Sequence, residues 1–120
     1  MDKSVENLKI YKLTYELLLF VFKDAVHFFP REFKYNLGEK IKDTLLECIL
    51  EIYKANKKPI QERNTHIEDI LTNLKSFEIM IQLSFDLHIL PPKKYNFINS
   101  KIIQLRKMIY WRKWMIWKYL

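Results

Sequence analysis

Read for apolar and polar positions, the chain divides into four helical stretches. In the first, over about residues 6–27, Leu8, Tyr11, Tyr15, Leu18, Phe22 and Ala25 recur at three- and four-residue steps, and Phe29 continues the register. At about 100° per residue, that step gathers them on one helix face. Lys9, Lys12, Glu16, Lys23 and Asp24 form the polar side. Phe28-Phe29-Pro30 breaks the pattern, because Pro30 has no amide hydrogen and suits the opening of a new helix. The second stretch, 31–56, has a seam of Gly38, Ile41, Leu45, Cys48, Ile52 and Ala55. Leu37, Leu46, Ile49, Leu50 and Tyr53 widen it into an arc that implies neighbours on more than one side. Glycine inside a helix costs about 1 kcal/mol against alanine, so Gly38 is expected to admit a close neighbour.

Asn56-Lys57-Lys58-Pro59 ends that helix. Thr65 and Glu68 have capping-box spacing, which predicts a third helix over 66–88. Its apolar face is Ile67, Ile70, Leu74, Phe77, Ile81, Phe85 and His88. Ile89-Leu90-Pro91-Pro92 is a stiff turn into a fourth helix over 93–118. Four helices with short connections predict an all-α, antiparallel up-down-up-down bundle, one domain over 1–120.

The fourth stretch differs from the others. Tyr95, Ile98, Ile102, Leu105 and Ile109 form one stripe, and Ile103, Tyr110, Trp114 and Trp117 form a second, well around the helix from it. One stripe serves the bundle; the second predicts contact with another copy or a partner. Residues 93–120 also carry Lys93, Lys94, Lys101, Arg106, Lys107, Arg112, Lys113 and Lys118, with no acid. The third stretch is acidic on balance, so the two helices are expected to attract each other.

Composition narrows the class. An apolar content of 49% is that of a folded chain, and a single glycine with four prolines favours long helices. The lone Cys48 has no partner for an internal disulfide and reads as a small core residue. No apolar run approaches the roughly 20 residues that span a bilayer, so a cytoplasmic location is expected. His27, His66 and His88 lie far apart without metal-ligand spacing, and one glycine cannot build a phosphate loop. No catalytic group, metal or cofactor is therefore expected. The net charge of +7 points to a polyanion. Candidate contacts are Arg31, Lys34, Lys57, Lys58, Lys94, Lys101, Arg106, Arg112 and Lys113, with aromatics nearby for base stacking. A Trp-rich basic helix could also rest at a membrane surface, a weaker reading.

Three segments carry a family likeness. They are Phe29-Pro30-Arg31-Glu32-Phe33-Lys34-Tyr35-Asn36-Leu37-Gly38, then Ile41-Lys42-Asp43 through Glu51-Ile52-Tyr53-Lys54-Ala55-Asn56, and Leu87-His88-Ile89-Leu90-Pro91-Pro92-Lys93-Lys94-Tyr95. With these the chain resembles the accessory variability determinants of diversity-generating retroelements. That family shares a four-helix-bundle superfamily with proteins encoded in 23S rRNA intervening sequences. The latter usually carry an Asn-Ile-Ala-Glu-Gly-like run in helix two; Leu46-Glu47-Cys48-Ile49-Leu50-Glu51 stands here and favours the retroelement branch. Where the family often has Gly-Gly-Trp near the end of helix four, this chain has Ile109-Tyr110-Trp111. The resemblance implies a homopentameric barrel and no enzymatic activity. It also implies association with the retroelement's reverse transcriptase and with template RNA, or DNA, to support mutagenic retrohoming. The alternative is an intervening-sequence-type RNA-interaction bundle without a polymerase partner.

Overall fold

The protein, represented by a computed structural model, is described over residues 9–119, with side chains described through Trp111. It is all-helical, and no strand occurs among the described residues. Helix α1 (Lys9–Phe20) continues into a π-turn (Val21–Ala25) and a 3-10 turn (Val26–Phe28). A short α2 (Arg31–Lys34) precedes α3 (Leu37–Asn56), and a 3-10 turn (Ile60–Glu62) leads to α4 (Asn64–Asp86). Helix α5 (Pro92–Tyr119) completes the bundle. The long helices pack as a four-sided ring in which α1 and α4 each lie against α3 and α5.

Three of the four stripes are buried over most of their length, but Phe85 and Tyr95 are only half-buried and His88, past the end of its helix, is exposed. Ile98, Ile102, Leu105 and Ile109 of α5 line the core, as does the whole Gly38-to-Ala55 seam of α3. So do Ile67, Ile70, Leu74, Phe77 and Ile81 of α4. Helix α1 corrects its expectation. Ile10, Thr14, Leu17, Val21 and Ala25 are buried, whereas Tyr15 and Phe22 are exposed and Tyr11 and Leu18 only half-buried. Residues 10–22 are apolar on nearly every side, so two stripes compete. The winning one contains Thr14, whose hydroxyl donates to the Ile10 carbonyl at 2.7 Å and so enters the core satisfied. The losing one contains two tyrosines, stacked at 6.4 Å between centroids. A tyrosine can keep its polar end in water.

The second helix is not continuous from 31 to 56. Asn36 divides it, because its amide donates to the Glu32 carbonyl at 2.7 Å and its Oδ1 accepts the Leu37 amide hydrogen. A short polar side chain thus replaces one helical bond and caps the next helix. Gly38 then sits in the first turn of α3 rather than its interior. A Cβ there would lie 2.6 Å from Val26 Cγ1, so the close approach inferred from sequence is present. Helix α4 begins at Asn64, two residues before the expected start, so Arg63 and not Thr65 takes the N-cap position, and the Arg63 side chain makes no cap hydrogen bond. It ends at Asp86, two residues early, because His88 adopts φ 63°. The His88 amide donates to Phe85 O at 3.0 Å and the Ile89 amide to Ser84 O at 3.0 Å, closing a Schellman turn.

Polar contacts cross every side of the ring. Glu51 Oε1 meets His66 Nδ1 at 2.9 Å between α3 and α4. Arg106 donates to Glu78 at 2.7 and 3.5 Å between α5 and α4, which is the attraction expected between the basic and acidic helices. Lys101 Nζ lies 2.9 Å from Glu16 between α5 and α1. Lys42 Nζ sits 4.8 Å above the Phe22 ring between α3 and α1.

Candidate nucleic-acid interface

The turn after α1, helix α2 and the first turn of α5 meet at one end of the bundle. Pro30 ends the preceding 3-10 turn, and its carbonyl accepts the Phe33 and Lys34 amides at 2.9 Å. This fixes α2 as a single turn that presents Arg31 and Lys34. Phe28 is 63% exposed, and Lys94 Nζ lies 4.1 Å from its ring centroid. Tyr35 is 67% exposed, and Lys34 Nζ lies 5.9 Å from its centroid. His27 packs edge-on against Phe28 at 5.0 Å. Lys93, the chain neighbour of Lys94, and Arg31 on α2 are exposed, with Glu32 as the acid on α2. Cations set over uncovered rings offer what a single strand needs, namely a charge for the phosphate and a π-face for the base.

The other candidate bases do not join this group. Lys57 and Lys58 lie at the far end of α3, about 30 Å away for a 20-residue helix. Lys57 Nζ sits 4.6 Å over the Tyr53 ring, and Lys58 lends its carbonyl to Arg63 Nε at 2.8 Å. Lys101 and Arg106 are half-buried and engaged in the ion pairs with Glu16 and Glu78. These two tie helices together instead of facing a ligand. Arg112 and Lys113 lie outside the residues whose side chains are described, as do Trp114 and Trp117 of the second stripe. The remaining members of that stripe, Ile103 and Tyr110, are 52% and 53% exposed.

A second uncovered apolar surface joins the widened arc of α3, which its sequence implied, to a face of α1 that went unread. Tyr15, Leu19 and Phe22 share one face of α1 by their four-three step, and all three are exposed. Leu46, Leu50 and Tyr53 of α3 share a face with Lys42, which sits over Phe22. The two sets therefore form one apolar flank on the α1/α3 side. Ile103 and Tyr110 flank Arg106, which pairs with Glu78, so they belong to the α4/α5 side. In a four-sided ring these two sides are opposite. Noticing that α1 carries two apolar stripes would have revealed the flank from sequence.

The ionisable groups inside the fold are structural. Burial pushes the Glu51 carboxyl up, but hydrogen bonds from His66 and Lys54 outweigh it and hold the group below its ordinary 4.5. Hydrogen bonds from Arg106 lower Glu78 against the opposing effect of burial. Burial pushes the Cys48 thiol up to about 12, so it is a poor nucleophile, and its Sγ lies 3.9 Å from the Ile70 carbonyl oxygen. Among the described residues no group of His, Cys, Asp or Glu could hold a metal ion. Nor, among them, is any helix long and apolar enough to cross a membrane. No protein-family model matches the chain, and no curated protein matches it.

Proposed function

We propose that the chain is a non-catalytic accessory subunit of a diversity-generating retroelement, one that assembles with copies of itself and holds RNA for a reverse transcriptase. The observation that carries the RNA part is the pair of lysine-topped, exposed rings, Phe28 with Lys94 and Tyr35 with Lys34. The retroelement part rests on the likeness of residues 29–38, 41–56 and 87–95. The assembly part rests on the opposed apolar flanks. A closed ring needs each copy to offer two different patches, and the α1/α3 and α4/α5 sides meet that need. A pentamer is the copy number the family likeness favours.

The binding claim is tested with labelled single-stranded RNA and fluorescence anisotropy. If Arg31, Lys34, Lys93 and Lys94 neutralise four phosphates, affinity falls about 50-fold between about 50 and 200 mM salt. Phe28→Ala and Tyr35→Ala should each weaken binding about tenfold through lost stacking, whereas Lys12→Glu on α1 should not. Affinity that ignores salt, or that survives loss of both rings, refutes the assignment. A reverse transcriptase that co-purifies after ribonuclease treatment supports the retroelement reading over the intervening-sequence one. Light scattering that finds a strict monomer at high concentration rules out the assembly.

A further inference from the structure

The end of the bundle away from Phe28 holds a cavity of about 540 Å³. All four long helices contribute isoleucines to it: Ile10, Ile52, Ile67 with Ile70, and Ile109. Lys9, Arg63 and Lys107 line it as well, and no Asp or Glu does so among the described residues. Arg63 is anchored there, its Nε donating to the Lys58 carbonyl at 2.8 Å and its Nη2 to Asn56 O at 3.5 Å. The loop that closes α3 onto α4 thus fixes one guanidinium among the lining residues. Lys9 and Lys107 enter no ion pair among the described residues. A volume of this size is in the range of small-ligand pockets, which run from about 300 to 1,000 Å³. An apolar wall whose charged members, among the described residues, are all cations selects for one kind of molecule. Its body must be apolar, because the accessible part of the lining includes Ile60, Met108 and Trp111, beside isoleucines that are themselves buried in the core. Its head must be anionic, because the charged side chains among the described lining residues, Lys9, Arg63 and Lys107, are all cationic.

We infer that this cavity binds a single-chain amphiphile with an anionic head, of which a medium-chain fatty acid is the simplest member. The inference is independent of RNA binding, which it places at the opposite end of the bundle. The head chemistry is shared by free fatty acids and by anionic lipid at a membrane surface, and the test separates the two. Titration calorimetry of the full chain with octanoate, decanoate and laurate, each below its micelle concentration, reads the apolar wall. Each added methylene should tighten binding about threefold to fourfold until the cavity is full. Dodecyltrimethylammonium, with the same tail and the opposite charge, should bind at least tenfold more weakly than laurate. Lys107→Glu and Lys9→Glu are exposed changes whose folding is checked by circular dichroism. Each should weaken laurate severalfold and leave RNA affinity at the Phe28 end unchanged. Laurate that binds no better than the cationic surfactant, a chain-length series without a trend, or variants that bind laurate normally would each overturn the inference. So would sedimentation with phosphatidylglycerol vesicles in the absence of any binding to free laurate, which would make the surface a membrane contact and not a pocket.

Discussion

Gly38→Ala isolates a single steric contact. The new methyl carbon would lie 2.6 Å from Val26 Cγ1 and 3.4 Å from the Phe33 carbonyl oxygen. The first distance is far inside van der Waals contact. Val26 is only 2% exposed, and its β-branched side chain has one strongly preferred rotamer in helical backbone, so it cannot swing aside cheaply. Overpacking of this kind costs about 1–3 kcal/mol. Alanine gains up to about 1 kcal/mol over glycine by helix propensity, and less in a first turn. Gly38 has no left-handed φ to lose, so the balance is steric, a net loss of about 1–2 kcal/mol. Urea unfolding followed by circular dichroism at fixed protein concentration measures it. A companion Val26→Ala change removes the opposing methyls and costs about 2 kcal/mol alone. In the double variant the alanine at 38 fills part of that space, so the two losses should fall short of their sum by about 1 kcal/mol. If Gly38→Ala proves neutral or stabilising, or if the two changes add, the glycine is not there to admit Val26.

Two further outcomes follow from the fold. His88→Gly should stabilise by about 0.5–1 kcal/mol, because φ 63° strains any residue with a Cβ and the Schellman bonds use only backbone; a loss in thermal melting would show that the imidazole holds something. Glu51 and Glu78 bind protons less tightly folded than unfolded, so their contribution is complete above the unfolded value near 4.5 and disappears as pH falls through the lower folded values. Urea midpoints should therefore drop between about pH 6 and 3, and Glu78→Gln should cost about 0.5–1 kcal/mol near neutrality and nothing at the acid end. A variant whose midpoint keeps the full acid slope would remove Glu78 from that account.

How much could be read in advance depended on how many apolar faces each helix has. In α3, α4 and α5 one face dominates the core contacts, and Ile41, Leu74 and Ile102 are buried where their spacing puts them. In α1 the periodicity is ambiguous, and the choice fell to Thr14, whose hydroxyl is satisfied by its own helix. The break at Asn36 and the turn at His88 arise from individual side-chain and backbone bonds that periodicity does not register. The basic positions were visible, but their roles were not. Whether Lys101 and Arg106 are free depends on which helix lies beside α5, and the neighbours turn out to supply Glu16 and Glu78. Lys94, by contrast, stands over the exposed Phe28 ring, which only the meeting of α5 with the turn after α1 shows, and Lys34 lies over its neighbour Tyr35.

In the proposed assembly the opposed flanks give every copy a direction, like a tile with a tongue and a groove. A copy made charged along Tyr15, Leu19 and Phe22 alone keeps its Ile103 and Tyr110 side intact. Such a copy would join one neighbour and refuse the next. Added to the native chain, it would leave each ring that takes it up unclosed at that flank. A copy altered on both flanks would be a bystander. Interference from the one-sided tile and silence from the two-sided one would be the mark of head-to-tail addition.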